Sequence, residues 1–265
     1  MPETHPISPA GFPQLESLAP ITLGEMDSIK LMNRIDSKYL TDLHTLAGIL
    51  EDAAREGYMA LETLGSKMAA YDSIYFDTPG LKMYLDHHNK HLTRQKVRTR
   101  VYVDSGLTFL EIKRKNNHGR TKKKRTAIPG SDFKDFRSNE AACEYLAGHS
   151  WFVASQLAPA LETAFSRITL VNPAKTERVT IDTSLVFNNI RTGREVSLPD
   201  AVVIEIKQDG HCPSSMKGIL LGHRVKPVRV SKYCIGTALT DPCVKANRFK
   251  PKIRMIEKLI NTRLI

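Results

Sequence analysis

Between Thr93 and Lys115 the chain reads TRQKVRTRVYVDSGLTFLEIKRK, two alternating runs about the turn residues Asp104, Ser105 and Gly106. Alternate residues of a strand share a face. Arg94, Lys96, Arg98 and Arg100 therefore stand on one side of the first run, and Val97, Val101 and Val103 on the other. In the returning run Glu111, Lys113 and Lys115 share a face and Leu110 and Ile112 oppose them. Taken alone, this hairpin also suits a sheet open to water, its charges simply solvated. Recurrence elsewhere argues for something else.

The pattern returns along the chain. Arg34, Asp36 and Lys38 share a face in a strand expected over Asn33–Leu40, and Ile74 and Phe76 oppose Ser73, Tyr75 and Asp77 in YDSIYFDT. TKKKRTAI follows a polar turn at Asn116–Arg120 as a further strand. Arg167 pairs with Thr169 on one face of LETAFSRITLV, Arg178 with Thr180 and Asp182 in ERVTIDTSL, and Glu205 with Lys207 in AVVIEIK, backed by Ile204 and Ile206. Another strand is expected near Tyr58–Leu64. Helices are expected between them. Leu43, Leu46, Ile49, Leu50 and Ala53 have helical spacing, with Thr41 or Asp42 as cap and Gly57 as stop. Further helices are predicted at Leu81–Asn89, Asn139–Gly148, part of Phe152–Ala158, Ser214–Leu221 and, with Lys252, Arg254 and Lys258 around an apolar stripe, Lys252–Leu264. The last is expected to pack against its own domain.

If every charged face met water, the apolar faces would need one shared core, as in a sandwich. Helices are too interspersed and hairpins too few for that. The reading is an α+β fold: a closed antiparallel β-barrel with helices packed outside and a basic lumen, that is, a tunnel. Many cations enclosed together are unfavourable unless an anion sits among them, which makes the lumen a polyanion site.

The net charge of +11 points the same way, to nucleic acid, a membrane surface or a phosphate-rich ligand. Cys143, Cys212, Cys234 and Cys243 contain no C-x-x-C pair and read as reduced thiols. With no signal peptide and no apolar run long enough to cross a bilayer, a cytoplasmic protein is expected. The prolines of residues 1–20 suggest an unstructured leader, followed by one domain over 21–249 and a basic helix over 250–265. His87 and His91, spaced i, i+4 on an expected helix, lack a third zinc ligand. There is no P-loop or Rossmann glycine motif. The Lys122–Arg125 run has few aromatics near it, which argues against a base-stacking nucleic-acid surface.

Leu110-Glu111-Ile112-Lys113 is echoed by Ile204-Glu205-Ile206-Lys207. A carboxylate among cations is what a divalent ion bound with phosphate requires. Each Glu–Lys pair is equally readable as a surface charge pair of small energetic weight.

At these residues the chain resembles the polyphosphate polymerase domain of the vacuolar transporter chaperone (VTC) complex, within the triphosphate tunnel metalloenzyme (CYTH-like) superfamily. The resemblance runs from about Asn33 to Lys258 through RIDSKY from Arg34, SIYFDT from Ser73, Arg98-Thr-Arg100, Glu111-Ile-Lys113, Lys123-Lys-Arg125, Arg167, RVTID from Arg178, Glu205-Ile-Lys207 and Ser231-Lys232-Tyr233. It implies an eight-stranded tunnel transferring the terminal phosphoryl group of ATP to a growing polyphosphate chain, with Mn²⁺ or Mg²⁺. Lys38, Arg98, Arg100, Lys113, Arg167, Arg178 and Lys232 are then the expected catalytic cations. Arg34, Lys96, Lys123, Arg125, Lys207 and Arg229 are the expected phosphate-binding residues, and Glu205 the metal ligand. The implied partners are ATP and polyphosphate and not nucleic acid, which leaves room for a membrane-protein partner.

One departure stands out. Where broader relatives of the superfamily carry Glu-x-Glu-x-Lys, this chain has Arg34-x-Asp36-x-Lys38, which keeps the lysine and loses most of the acid. That argues against a simple triphosphatase. A non-catalytic module for polyphosphate or inositol phosphates, a triphosphatase and a basic nucleic-acid binder are the alternatives.

Overall fold

The computed structural model describes residues 12–27, 29, 34–210 and 212–264. In chain order the elements are β1 (Ala19–Ile21), α1 (Leu23–Asp27), β2 (Arg34–Asp42), α2 (Leu43–Arg55), β3 (Met59–Leu61), β4 (Met68–Asp77) and α3 (Lys82–His88). Then come β5 (Arg94–Tyr102), β6 (Leu107–Lys115), β7 (Thr121–Ile128), α4 (Glu140–His149), β8 (Ala158–Val171) and β9 (Glu177–Asn189). The chain finishes with β10 (Glu195–Leu198), β11 (Ala201–Asp209), α5 (Ser215–Gly222), α6 (Lys232–Thr240) and α7 (Lys250–Leu259).

Local chemistry sets several boundaries. Asp42 ends β2 and accepts a hydrogen bond from the Thr45 amide at 2.8 Å, capping α2, so of the two expected caps it is the aspartate that serves. Gly57 takes φ +74° just beyond that helix, a conformation glycine adopts without steric cost. Gly106 does the same at φ +68° in the β5–β6 hairpin.

The main run of the sheet is β2-β11-β9-β8-β4-β5-β6-β7, and every neighbouring pair along it is antiparallel. The expectation of eight strands is met only in part: eight form this run, but the sheet has eleven, with β10 paired to β9, β3 to β8 and β1 to β3, and although it curls the barrel does not close. Among the described residues β2 and β7 lie at opposite ends of the run and do not pair with each other. Two features keep it open. The free edge of β2 is taken by the chain before α6, where Val228 donates to the Lys38 carbonyl at 2.7 Å and Pro227 bridges Tyr39. The β7 edge is exposed from Thr121 to Arg125 and almost wholly cationic, a composition that resists further strand pairing.

The convex side is covered as the alternation requires. Val179, Ile181, Ile204 and Ile206 pack beneath α2 and α5, against Leu46, Ile49, Leu50 and Leu220. Ile74, Phe76, Val97, Leu110 and Ile112 pack against Phe136 and the α4 residues Ala142 and Leu146. A third core, with Tyr84, Tyr233, Phe249, Ile253 and Ile256, joins α3, α6 and α7 across one end of the half-barrel.

Other expectations are corrected in detail. Of the helix expected within Phe152–Ala158 only a 3-10 turn at Ala154–Gln156 forms, because Ala158 already opens the long strand β8. The segment around Ser231-Lys232-Tyr233 is the start of a helix, and the terminal helix runs earlier than expected, with Pro251 in its first turn. The leader expected to be unstructured over 1–20 is ordered from Phe12. Phe12, Leu15 and Leu18, spaced by three, are 4%, 3% and 1% exposed and dock on the α2 core. Residues 1–11 lie outside the described residues. Among the described residues no helix is long and apolar enough to cross a membrane.

Candidate active site

The concave face of the sheet carries the charges, and its organisation is three carboxylates, each held between two cations. On β6, Glu111 accepts from Arg98 Nε and Nη2 at 2.7 and 2.5 Å through one oxygen and from Lys123 at 2.5 Å through the other. On β9, Asp182 accepts from Arg167 at 2.6 and 2.8 Å, while Lys232 of α6 donates to one of the same oxygens. On β11, Glu205 accepts from Lys38 at 2.5 Å and lies 3.3 Å from the Lys207 ammonium. Burial disfavours the charge of all three, but the paired cations outweigh it and hold each carboxyl well below its usual range. None of the three is free at neutral pH.

Curling brings the two halves of the sheet face to face. Lys113 stands on β6, next to one end of the run, yet it feels Glu205 and Lys38 at the other end. Its ammonium meets water but is walled by the cleft; that enclosure, with Lys38, Lys96 and Arg98 nearby, lowers its pKa to about 8. Burial likewise brings Lys207 to about 8, with Arg167 and Arg178 adding to the effect and Glu205 opposing it.

Arg100 is 6% exposed and has no carboxylate partner within 4 Å among the described residues; its Nε donates to Ser73 Oγ at 3.0 Å. Burial and the Arg98 charge lower its pKa to about 10. Its guanidinium rests on an aromatic pair, 5.3 Å from the Tyr71 centroid and 5.5 Å from that of Phe165. Arg167 lies 4.8 and 5.2 Å from the same two rings, and the Lys232 ammonium 4.4 Å from Phe165. Cation–π contact of this kind offsets part of the cost of enclosing like charges.

Aromatic residues also fix α6 in place. Tyr75 accepts from Arg98 at 3.0 Å and stacks on Tyr233 at 5.0 Å. Tyr233 donates to Asp77 at 2.5 Å, and Asp77 in turn accepts from the Met83 and Tyr84 amides of α3. Lys96 donates to Ser231 Oγ, the cap of α6, at 2.6 Å. These contacts lock Lys232 against Asp182.

Of the residues expected from sequence, Lys38, Lys96, Arg98, Arg100, Lys113, Lys123, Arg167, Lys207, Lys232 and Glu205 share this concavity. Arg178 sits opposite Lys207 in the strand register, at the rim. Arg34 is turned to Asp36 at 2.6 Å, with its side chain 38% exposed. Arg125 is exposed on β7, with its guanidinium 4.7 Å from the Phe109 ring. Arg229 is not beside the three carboxylates; it lies at the far end with Arg94, Lys115 and Lys252. The expected helical pairing of His87 and His91 fails, because α3 ends at His88 and His91 turns to Asp86 at 2.9 Å. Asp182, Tyr71, Tyr75, Ser73 and Phe165 were not expected in the site. The signal for Asp182 was its place two residues beyond Thr180 and four beyond Arg178, on the same face.

The model of the VTC domain matches residues 33–240 of the chain. The chain belongs to the VTC-domain family. A comparison with curated proteins gives no match. Among solved structures, HpAC1 from Hippeastrum, described as an adenylyl cyclase candidate with a dominant triphosphatase activity, is 11% identical. Its TM-score is 0.49, with 77% of this chain and 96% of that one covered. The PH1819 protein of Pyrococcus horikoshii is 14% identical, with TM-score 0.41 and coverage of 76% and 97%. A conserved hypothetical protein of Pyrococcus furiosus is 13% identical, with TM-score 0.40 and coverage of 76% and 99%.

Within this VTC domain, no three His, Cys, Asp or Glu side chains cluster as a metal site among the described residues. What the concavity offers a hard cation is Glu205, with Asp36 one strand repeat along the β2–β11 register, and, opposite Glu205 on β9, the buried Thr180 hydroxyl, which has no partner among the described residues. Mg²⁺ is commonly held by one or two carboxylates, the rest of its shell being water and substrate phosphate oxygens. The residues therefore fit an ion that arrives with a phosphorylated substrate, and do not form a cage of their own.

Proposed function

We propose that this VTC-domain protein is a phosphotransferase of the polyphosphate-polymerase type, moving the terminal phosphoryl group of ATP onto a linear phosphate chain inside the concavity. One observation carries the reading: the three most buried carboxylates of the site, Glu111, Asp182 and Glu205, are each already shared between two cations, Asp36 is held by Arg34, and cations remain over. Arg100 has no carboxylate partner and Lys113 no ion pair within 4 Å among the described residues. Surplus positive charge gathered on one concave face, buried at Arg100 and reaching water at Lys113, calls for a polyanion.

Phosphoryl transfer asks little covalent chemistry of a protein. Its transition state is stabilised by in-line positioning and by fixed cations around the transferred group. Arg98 and Arg167 are held rigid by their carboxylates, and Arg100 by Ser73 and two rings, so none needs to reorganise as charge develops. Mg²⁺ or Mn²⁺ held through Glu205 would supply further neutralisation of phosphate charge. Water as acceptor would need a base, and Glu111, Asp182 and Glu205 are all kept ionised and engaged. A phosphate acceptor is already anionic and nucleophilic and needs none. That favours chain extension over hydrolysis.

The test is to incubate the purified protein with labelled ATP and Mn²⁺ or Mg²⁺ and to size the product. A ladder of acid-labile phosphate chains is expected. Free phosphate alone would identify a triphosphatase, and tight binding of triphosphate without turnover a binding module.

A further inference from the structure

The end of the half-barrel beneath α3, α6 and α7 gathers a second set of cations, unlike the first in that, among the described residues, no acid is paired with them. Arg94 and Lys115 are directly opposed across β5 and β6. Like charges so placed destabilise a sheet unless something neutralises them. Arg229, in the segment leading to α6, acts on both, and it also acts on Lys252 of α7, as does Lys90. Among the described residues none of Arg94, Lys115, Arg229 and Lys252 forms an ion pair with a carboxylate. Asp86, the acid of α3, is taken by Lys82 at 2.6 Å and by His91.

The cluster is built, not merely exposed. The His87 ring meets Phe249 edge-on at 6.1 Å, the Lys252 ammonium lies 5.7 Å from the centroid of the same ring, and Arg94 donates to the His91 carbonyl at 2.8 Å. His87 is half-buried among these charges and its Nδ1, buried, has no partner. Burial, then Lys96, Arg94, Lys252 and Lys115, keep its imidazole neutral.

We propose that this cluster is a second anion site, holding the distal phosphates of a linear polyphosphate chain whose reacting end lies among Arg98, Arg167 and Lys232. The inference rests on the phosphotransferase reading above. Arg94 is four residues from Arg98 on the same face of β5, roughly 14 Å at about 3.4 Å per residue. A triphosphate seated at Arg98 falls short of it, whereas a longer chain reaches it by way of Lys96. Nucleic acid fits less well: the aromatic residue at the cluster, Phe249, is 3% exposed and offers no face for a base to stack on. A chain that spans two linked sites gains affinity by about 10²–10⁴ over its hold on either.

Calorimetric titration at fixed ionic strength separates the two sites. Wild-type protein is titrated with tripolyphosphate, with a long linear polyphosphate and with single-stranded DNA matched in phosphate. The same titrations use the double variants Arg94→Gln/Lys252→Gln and Lys115→Gln/Lys252→Gln, each checked by its melting temperature. The long chain should bind wild type at least tenfold more tightly than tripolyphosphate. Both variants should lose most of that gain while their tripolyphosphate affinity stays within about twofold. Equal binding of the long chain by variants and wild type overturns the second site, as does an equal loss for both ligands. DNA binding that exceeds polyphosphate binding and vanishes in the variants would make the cluster a nucleic-acid surface instead. If wild type holds no tripolyphosphate at all, the phosphotransferase reading fails first and the second site falls with it.

Discussion

Replacing Asp182 by Asn should both loosen the empty protein and strengthen its hold on phosphate. The Asp182 side chain is 5% exposed, Arg167 15% and Lys232 13%, so the variant leaves two enclosed cations without their shared counter-ion. Breaking a buried pair by removing one partner costs about 3–5 kcal/mol. Asn keeps the shape and one acceptor, which favours the lower end, about 3 kcal/mol. For a domain of this size each kcal/mol moves the melting point by about 2–4 °C, so a fall of roughly 6–12 °C is expected. The freed cations then have only the ligand to pair with. A tenfold gain in tripolyphosphate affinity would add about 1.4 kcal/mol to the ligand's stabilisation, seen as a melting shift about 3–6 °C larger than in wild type.

Differential scanning calorimetry with tripolyphosphate, and with sulfate at matched ionic strength, reads both quantities. pH gives an internal control. The folded pKa of Asp182 is depressed, so its stabilisation is present above the unfolded value near 3.9 and is lost as pH falls towards the folded one. The gap between wild type and variant should therefore narrow below about pH 4. A variant that melts within about 2 °C of wild type at pH 7, or one whose ligand shift shrinks, would refute the view that Asp182 stands in for a bound anion.

Three further outcomes are expected. Glu205→Gln should abolish metal-dependent turnover while tripolyphosphate still binds, because Lys38 and Lys207 remain; normal activity would remove Glu205 from the reaction. Gly236→Ala should destabilise by about 1–3 kcal/mol and slacken α6, since an added Cβ would lie 2.5 Å from Phe187 and 2.8 Å from Leu161; a melting point unchanged in this variant would show that α6 is not tightly seated. Raising pH from 7 to 9 should weaken tripolyphosphate binding as Lys113 and Lys207 discharge near 8, while the empty protein gains stability. The sign follows because the unfolded lysines, titrating near 10.4, hold protons that the folded ones have released; affinity that stays constant across the interval would contradict it.

Much of this was legible because a pleated strand converts sequence order into faces. The alternation in β5, β6 and β11 told which residues point inward, and Arg98, Lys113 and Glu205 are where that rule puts them. Helix α2 was legible from its stripe and cap. Helix α6 was not, because every residue from Tyr233 to Thr240 is buried and such a helix has no polar face to give it period. Closure was not legible either. Whether β7 meets β2 is decided by long-range competition for one strand edge, and the segment at Pro227 and Val228 wins it through a single bridge and one amide. Asp182 was on the right face but was passed over, since an acid four residues from a single arginine reads as a surface pair until its two partners from β8 and α6 are seen.

The carboxylates explain how so cationic a concavity stays folded when empty. Enclosed cations repel one another, and each kcal/mol of that repulsion is drawn from a total stability of only about 5–15 kcal/mol. Glu111, Asp182 and Glu205 each quench two cations, and by accepting from fixed geometry they also preset the guanidinium planes of Arg98 and Arg167. Quenching every cation would leave nothing with which to hold a polyanion. The sequence stops short of that: Arg100 is balanced only by rings and a hydroxyl, Lys113 by a depressed pKa, and Arg94 and Lys115 by nothing on their own strands. The uncompensated charge thus recurs along β5 and β6, at Arg100, at Lys113 and at Arg94 with Lys115, the paired Arg98 and Glu111 lying between the first two. It forms a track and not a single socket, which suits a ligand that repeats its charge along its length.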